Sequence, residues 1–307
     1  MDLSVVVVNW NTRDFLERCL RSVEEDVAHA GSVEAETIVV DNASVDCSAA
    51  TVRRLFPRVI LIENERNEGF ARANNKALLA SAGRYLLLLN PDAEIEPGAV
   101  TALLSFLEAN PDVGLAGPRL LNTDGSLQIS CYPAPTLLRE FWRLFHLDLI
   151  RPVGSYDMTR WNRDRPREVE VLKGACIMLR RTVLERCGRL DEDYFIYSED
   201  QDLCRKARRC GWRIFWVPQA KCRHHGAQST AQAEAEMFMR LYMGKIMYFR
   251  KHHGALTAGV YKLVLLAASL ARQALRPLSL FQKPETRETS LAVARRYWSL
   301  IRTLPDL

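Results

Sequence analysis

A continuous apolar run from Tyr85 to Leu89 constrains the fold of this chain more than any other stretch. Consecutive apolar residues without alternation are typical of a central strand that is buried on both faces. The run stops at Asn90-Pro91, because proline has no amide hydrogen to donate to a sheet ladder. Asp92 therefore lies just beyond the carboxyl end of a buried strand, the edge where open α/β sheets bind ligands. A carboxylate there suits a divalent cation and, through it, a phosphate, although Asn-Pro-Asp is also ordinary turn chemistry.

Strand-like and helix-like segments alternate along the first 120 residues. Short apolar runs at residues 3–8, 36–40 and 59–62 precede helical patterns at residues 13–27, 48–56 and 70–80. The alternation predicts an α/β fold whose parallel sheet has right-handed crossovers. After an irregular stretch at residues 121–168, rich in proline and aromatic residues, the pattern resumes with a predicted strand at 168–179 and a predicted helix at 199–210.

The turn after the first predicted strand, Asn9-Trp10-Asn11-Thr12, contains no glycine. A dinucleotide-binding domain needs G-x-G-x-x-G at this point so that the backbone can approach the pyrophosphate. The phosphate-binding loop G-x-x-x-x-G-K-[ST] is also absent from the sequence. The two common nucleotide-binding solutions are therefore disfavoured.

Two other predicted strand ends carry candidate ligand-binding residues. Asp41, which ends the second predicted strand, can accept hydrogen bonds from a base or ribose, and its segment also reads as a turn or a helix cap. Gly69 suits a tight loop, and Arg72 falls in the first turn of the next predicted helix. A helix N-terminus with a guanidinium suits a diphosphate, whereas Arg72 alone is an ordinary surface residue.

Acidic and aromatic residues are interleaved from residue 190 to residue 203. A solvated acidic run does not normally include aromatic side chains. Glu199, Asp200 and Asp202 open the predicted helix, where compensation of the helix dipole is the simplest explanation for carboxylates. Gly174, inside the predicted strand before this segment, indicates close approach by a backbone or a ligand.

The C-terminal part has a different pattern. Residues 255–275 are strongly apolar, but polar residues recur at a spacing near 3.5 and share one helical face; they are Lys262, Ser269, Arg272, Gln273 and Arg276. An amphipathic helix of this kind lies on a membrane surface or packs on protein. No run of about 18 uncharged apolar residues occurs, so an ordinary transmembrane helix is not predicted.

Charge and cysteine content narrow the classes of partner and compartment. The net charge is +5, with basic residues clustered at 151–167, at 205–223 and near the C-terminus. Such patches suit phosphates, nucleic acid or an anionic membrane, but no nucleic-acid-binding motif appears, so nucleic acid is not an expected partner. The eight cysteines form no C-x-x-C pair, which indicates reduced thiols in a cytoplasmic protein.

Six motifs, taken in order, resemble those of family 2 inverting glycosyltransferases, and more narrowly the bacterial rhamnosyltransferase-like branch. They are V-V-V-N-W-N, V-D-N-A-S, N-x-G-F-A-x-A-N-N, N-P-D-A, G-A and S-E-D-Q-D-L-x-R-K-A-R-x-x-G-W. The similarity covers residues 1–250, which we expect to form the glycosyltransferase domain. Residues 251–307 carry none of these motifs and are expected to form a C-terminal helical extension, with membrane association as one of its two interpretations.

The resemblance implies a GT-A fold, the Rossmann-like fold of nucleotide-diphospho-sugar transferases. It also implies a dTDP-, UDP- or GDP-sugar donor, a divalent cation (Mg²⁺ or Mn²⁺), and a cell-surface glycan or lipid-linked acceptor. An enzyme of cell-wall or polysaccharide biosynthesis that uses a lipid-linked acceptor is expected in the cytoplasm, at the inner face of the cell membrane.

The resemblance also assigns roles to residues. Asp200 matches the catalytic base, and Asp92 matches the ionic metal ligand of a D-x-D motif whose first aspartate is here Asn90. His224 matches the downstream histidine that completes the metal site, with His225 as the alternative. The residues that match donor- or substrate-binding stretches are Asn9, Asp41, Asn67, Arg72, Asn90 and Glu199.

This assignment agrees with the chemistry of sugar transfer with inversion. A base must take the proton of the acceptor hydroxyl as it attacks the anomeric carbon, and positive charge must offset the departing diphosphate. A catalytically inactive module that binds nucleotide-sugars is the alternative, and the presence of Asp200, Asp92 and His224 argues against it.

Overall fold

The computed structural model describes residues 1–31, 33–226, 228, 230–275, 277 and 284–306. The chain divides into two compact units: Met1–Ala134 with Tyr156–Gln232, and Pro135–Ser155 with Ala233–Leu307. The second unit includes residues 135–155 and resumes at residue 233, and residue 250, where the predicted glycosyltransferase domain ends, falls inside a helix. Arg276 of the predicted polar face lies outside the described residues.

The strands and helices follow the predicted order through most of the chain. The strands are β1 (Leu3–Asn9), β2 (Ala35–Asp41), β3 (Ile60–Glu63), β4 (Tyr85–Leu89), β5 (Ala93–Ile95), β6 (Val113–Leu121), β7 (Cys131–Tyr132), β8 (Arg167–Glu168), β9 (Val171–Leu172), β10 (Cys176–Arg180) and β11 (Arg213–His224). The α-helices are α1 (Arg13–Ala30), α2 (Ser48–Leu55), α3 (Phe70–Ala80), α4 (Ala99–Ala109), α5 (Leu137–Leu144), α6 (Arg181–Cys187), α7 (Glu199–Arg209), α8 (Glu234–His253), α9 (Ala255–Ala274) and α10 (Pro284–Thr303).

The first unit is built on a mixed sheet. Within the described residues, nine strands form this sheet in the order β3-β2-β1-β4-β10-β6-β11-β5, with β8 paired to β11. The pairs among β1, β2, β3 and β4 are parallel, as the alternating pattern predicts. The prediction of a parallel sheet is wrong at β10, which is antiparallel to both β4 and β6. It is also wrong at β5 and β8, which are antiparallel to β11, whereas the pair of β6 and β11 is parallel. A long irregular connection precedes β10, so no short helical crossover fixes its direction.

Strand β4 is buried on both faces, as its apolar run predicts. Leu87 and Leu89 contact the cluster that includes residues of α1 and α4, and Leu86 and Leu88 contact the cluster that includes residues of α3 and α7. Alternate side chains of a strand point to opposite faces, so both halves of the run are removed from water. Full burial of one leucine side chain contributes about 1.5–3 kcal/mol.

The predicted strand at residues 168–179 is interrupted. Its ends form β8 and β10, with the short strand β9 between them, and Lys173-Gly174-Ala175 lies outside the ladder. Strand β9 leaves the main sheet to pair with β7, with Leu172 opposite Cys131. The interruption leaves the backbone of these three residues available for contacts outside the sheet.

The second unit contains α5, α8, α9 and α10 and has a buried ionic network. Lys245 Nζ donates to both carboxylate oxygens of Glu140 at 2.9 and 2.8 Å, and Tyr261 Oη donates to Glu140 at 3.3 Å. Arg143 also pairs with this carboxylate. Burial raises the pKa of Glu140, while Arg143 and the Tyr261 hydrogen bond oppose the increase. The network links α5, which the irregular sequence pattern did not predict, to α8 and α9.

Three of the predicted polar residues of α9 turn inward, so the predicted polar face is not the solvent face. Ser269 Oγ donates to the carbonyl of Leu265 at 2.7 Å, and Gln273 Nε2 donates to that of Ala294 at 2.6 Å. Arg272 likewise donates to the carbonyl of Leu144 at 2.6 Å. Backbone carbonyls inside the unit therefore satisfy these polar groups.

An exposed apolar stripe runs along the other side of α9. Leu256 is 84% exposed and Leu263 is 65% exposed, and Val260 and Leu270 continue the series at helical spacing. The helix is long and apolar enough to cross a membrane by length and composition, and 28% of its most apolar window is buried inside the protein. Helix α9 thus has one packed face, which includes its bonded polar residues, and one exposed apolar face.

Candidate active site

Asn9 and Asp41 meet at the carboxyl ends of β1 and β2, where they are direct partners in the parallel register. Asn9 Nδ2 donates to Asp41 Oδ1 at 3.0 Å, and the amide of Ser44 donates to Asp41 Oδ2 at 3.0 Å. Thr12 Oγ1 donates to Asn9 Oδ1 at 2.7 Å. Both predicted residues are buried at the ligand-binding edge, and neighbouring groups fix their orientation.

Asn42 organises the loop that carries the predicted residue Asn67. Its Nδ2 donates to Asn67 Oδ1 at 2.7 Å, and its Oδ1 accepts from Asn64 Nδ2 at 2.9 Å and from the amide of Glu68 at 3.0 Å. Asn42 is itself buried. It belongs to the V-D-N-A-S motif, and its bonds connect the end of β2 to the loop before α3.

Arg72 is held by an acidic partner far away in sequence. Its Nε lies 3.1 Å from Glu192 Oε2, and both side chains are exposed. The first amide of α3, that of Phe70, donates to the carbonyl of Phe195. Both parts of the predicted diphosphate site, the helix N-terminus and the guanidinium, therefore contact the segment that leads to α7.

Asp92 and His224 lie side by side in the same buried corner. Strand β5 pairs with the end of β11 and places Ala93 opposite His224. His224 Nε2 lies 3.4 Å from Asp92 Oδ1. Burial alone would raise the pKa of Asp92, but the His224 hydrogen bond and charge, helped by the Gln228 amide, hold it below its usual value. Asp92 is therefore ionised over the whole physiological range.

Gln128 sets the orientation of the His224 ring. Its Nε2 donates to the carbonyl of His224 at 3.0 Å and to Asn122 Oδ1 at 2.9 Å, which fixes the direction of the carboxamide. Its Oε1 then faces His224 Nδ1 at 2.7 Å and accepts that proton. Once the proton on Nε2 is removed, a histidine that donates from Nδ1 presents the lone pair of Nε2 to its other side. His225, the alternative ligand, instead contacts Glu94 Oε1 at 2.6 Å.

The donor atoms around Asp92 fit a divalent cation. Asn90 Oδ1 is buried and has no hydrogen-bond partner among the described residues, and Asn90 Nδ2 lies 3.5 Å from His224 Nε2. Across the described ranges no three His, Cys, Asp or Glu side chains group as a metal site. The candidate ligands are therefore the Asp92 carboxylate, the His224 ring and the amide oxygen of Asn90. Mg²⁺ typically takes one or two carboxylates and completes its shell with substrate phosphates and water.

Asp200 is the accessible carboxylate at the start of α7. The amide of Gly174 donates to its Oδ2 at 3.0 Å, and the amide of Gln201 donates to its Oδ1 at 2.7 Å. The close approach expected at Gly174 is made by this side chain, since a Cβ on Gly174 would lie 3.3 Å from Asp200 Cβ. Asp200 is only partly buried, whereas Glu199 and Asp202 are buried.

Glu199 and Asp200 differ in protonation because their surroundings differ. Burial, with a contribution from the Asp200 charge, raises the pKa of Glu199 to about 8. Burial also raises the pKa of Asp200, while the amides of Gly174 and Gln201 and the charge of Lys173 oppose the increase. Near neutral pH Glu199 therefore holds a proton, while the two backbone amides favour the ionised form of Asp200, the form that can act as a base. The backbone at Tyr197 and Ser198 is left-handed, with φ of 69° and 71°, directly before the first residue of α7.

Two residues of this corner, Gln128 and Lys173, were missed by sequence reasoning. Gln128 belongs to the irregular stretch, where no periodic pattern indicates a direction. Lys173 precedes the G-A motif, and the only signal was the expected close approach at Gly174. Its Nζ donates to Gln128 Oε1 at 3.2 Å, so one carboxamide oxygen joins Lys173 to His224.

Comparison with known proteins identifies the family of this chain. Residues 4–188 match glycosyl transferase family 2. The chain belongs to glycosyl transferase family 2. It is 27% identical to an N-acetylglucosaminyl-diphospho-decaprenol L-rhamnosyltransferase of Mycobacterium tuberculosis (strain H37Rv), over 95% of this chain and 98% of the relative. The predicted family and the predicted enzyme class, a glycosyltransferase, are therefore confirmed.

Solved structures confirm the GT-A fold of this family 2 member. A mannosyltransferase from Pyrobaculum calidifontis, in complex with GDP-Man and Mn²⁺, has a TM-score of 0.58 at 19% identity, over 99% of this chain and 84% of that one. Residues 1–349 of Staphylococcus aureus TarS have a TM-score of 0.54 at 15% identity, over 100% of this chain and 90% of that one. At these identities the structural likeness supports the fold and gives no information about the substrates.

Proposed function

We propose that this family 2 glycosyltransferase is a metal-dependent inverting enzyme that transfers a sugar from a nucleotide-sugar to a lipid-linked acceptor. One observation carries the proposal. The short segment from Lys173 to Ala175 joins the two halves of the site, because the amide of Asn90 donates to the carbonyl of Ala175 at 2.9 Å and the amide of Gly174 holds Asp200. The metal-ligand corner and the base are thus held by consecutive residues.

The residues present account for each step of an inverting transfer. Asp200 takes the proton of the acceptor hydroxyl as that oxygen bonds to the anomeric carbon and the bond to the diphosphate breaks. Glu199 stays protonated beside it and adds no second negative charge. Asn9 and Asp41 form the donor-side edge where a base or ribose would be bound. A divalent cation held by Asp92, His224 and Asn90 would offset the charge of the departing diphosphate.

The proposed donor is a rhamnose nucleotide. Its support is the similarity over almost the whole chain to a rhamnosyltransferase whose name specifies a diphospho-decaprenol acceptor. The test is a panel of dTDP-, UDP- and GDP-sugars, each assayed with Mg²⁺ and with Mn²⁺ for hydrolysis and for thermal stabilisation. We expect the rhamnose nucleotides to give the largest responses. Equal responses to every sugar, or a response to none, would contradict the donor assignment.

We also propose that the second unit holds the enzyme on the cytoplasmic face of a membrane, where a lipid-linked acceptor is found. The support is the exposed apolar stripe of α9 together with the exposed basic residues Arg250 and Lys251 in the last turn of α8. An apolar face beside cationic residues suits an anionic membrane surface. Because its other face packs on protein, α9 is expected to lie along the interface instead of crossing the bilayer.

Flotation with anionic liposomes checks this placement. We expect the wild-type protein to float with the vesicles at low salt, and the double variant Leu263→Glu/Leu270→Glu to remain at the bottom. The matched control is Leu79→Glu on the first unit, since Leu79 and Leu263 are both 65% exposed. Wild-type protein that stays at the bottom, or a double variant that floats as well as the control, would show that the stripe does not bind membrane.

A further inference from the structure

Lys173 occupies a distinctive position in the backbone of the site. The residue before it ends β9 and the residue after it donates its amide to Asp200, while its own amide donates to the carbonyl of Ser130 at 2.8 Å. These bonds fix the Cα of Lys173 near Asp200, the proposed general base. The direction of its side chain is then set by Gln128.

The Lys173 ammonium has unused hydrogen-bonding capacity. An ammonium has three N–H donors, and among the described residues the one partner of Nζ is Gln128 Oε1 at 3.2 Å. No carboxylate within the described part of the chain lies at ion-pair distance from it. The Asp92 and Asp200 charges nevertheless act on this group, opposing the decrease in its pKa that burial causes. The ammonium is therefore close enough to feel both carboxylates and is bonded to neither.

A diphosphate needs positive charge at this place. Asp92 and Asp200 both carry negative charge and would repel phosphate oxygens, so a single divalent cation on Asp92 leaves little positive charge for the ligand. Arg72, the residue predicted to bind the diphosphate, forms its ion pair with Glu192. Lys173 is held on the same carboxamide oxygen as His224, on the metal side of the site.

We propose that Lys173 is a substrate-binding residue whose ammonium contacts an oxygen of the donor diphosphate. The inference rests on the proposed function, since it requires a nucleotide-sugar donor. A lipid-linked acceptor also carries phosphate, so the same chemistry has two sources. The position of Lys173 beside Gln128 and His224 assigns it to the donor, and Gln128 becomes the positioning residue that directs both side chains.

Calorimetric titration without any acceptor tests the proposal. Wild-type protein is titrated with UDP, dTDP and GDP in the presence of Mn²⁺, and the tightest ligand and its parent nucleoside are then used for Lys173→Met and Lys173→Arg. A hydrogen bond to a charged group contributes about 1.5–3 kcal/mol, so we expect Lys173→Met to weaken the diphosphate by about 10–150-fold. Binding of the nucleoside should be unchanged, and Lys173→Arg should recover part of the loss.

One control variant and three contrary outcomes complete the experiment. Lys221→Met removes an exposed lysine that lies 3.9 Å from Glu96 and should leave diphosphate binding unchanged. Unchanged diphosphate affinity in a folded Lys173→Met protein would overturn the proposal, and a higher KM for the lipid-linked acceptor alone would move the contact to the acceptor. A wild-type protein that binds no nucleoside diphosphate would overturn the proposed function and this inference together.

Discussion

Replacing Asp200 by asparagine is expected to lower kcat by about 10²–10⁴-fold, the usual cost of losing a general base. Asparagine keeps the shape and can still accept one of the two backbone hydrogen bonds, from Gly174 or Gln201, but it cannot take a proton. Donor affinity should change little, because the corner around Asp92 is untouched. Steady-state kinetics with saturating donor, combined with a thermal melt, check this outcome.

The dependence of activity on pH is a second test of Asp200 as the base. Activity requires ionised Asp200, so it is lost as the pH falls through the folded-state pKa. Burial raises that pKa, and the acid limb of the wild-type profile should therefore lie above about 3.9, the ordinary value for aspartate. An acid limb at or below that value would contradict the assignment.

Asp202→Asn is the matched control for Asp200→Asn. Asp202 is buried and lies 2.9 Å from Lys206 on the next turn of α7, which marks it as a structural carboxylate. Its replacement should lower the melting temperature and leave most of kcat. Near-wild-type kcat in Asp200→Asn, or a loss of equal size in a folded Asp202→Asn protein, would transfer the role of base to a neighbour.

Removal of divalent cations is expected to reduce turnover by at least about 10²-fold, since a Lewis acid contributes several kcal/mol to stabilisation of a leaving diphosphate. Asp92→Asn should reproduce this loss, because Asp92 is the only carboxylate in the candidate donor set described here. The fold should survive, since Asp92 follows a strand end and asparagine keeps its size. Turnover in EDTA, with rescue by Mg²⁺ or Mn²⁺, checks the first part.

Glu94→Gln serves as the control for Asp92→Asn. Glu94 lies two residues away and contacts His225, outside the proposed metal site. Its replacement should leave the metal requirement unchanged. Full activity in excess EDTA, with the protein shown to be free of metal, would contradict a metal-dependent mechanism.

Local periodicity was sufficient to predict most elements of the first unit. The bounds of β4 and α3 agree with the sequence patterns, because each has a clear apolar pattern with glycine, proline or polar residues at its ends. Strand β5 was missed because three residues are too few to show a period. The direction of β10 could not be predicted from the sequence, because it depends on the path of the long connection that precedes it.

The motif residues and the tertiary contacts of the site were not equally predictable. Asp92 and Asp200 stand in motifs and His224 follows the last of them, and the structure places all three at the same edge of the sheet. The pairing of Arg72 with Glu192 joins residues 120 positions apart, and no local pattern predicts such a contact. For α9, spacing showed that its polar residues share a face, but spacing alone cannot tell which face packs on the unit.

The reversed direction of β10 determines where the chain tolerates changes in length. In a parallel sheet the residues that follow each strand lie at the ligand-binding edge. Because β10 runs in the opposite direction, the residues that precede it lie at that edge. One residue inserted between Lys173 and Cys176 would shift either the Gly174 contact with Asp200 or the Ala175 contact with Asn90, and the two carboxylates would lose their spacing. Residues added to the exposed turn at 123–126 would leave those contacts intact. Variation in loop length among related enzymes should therefore be found before β9 and not between β9 and β10.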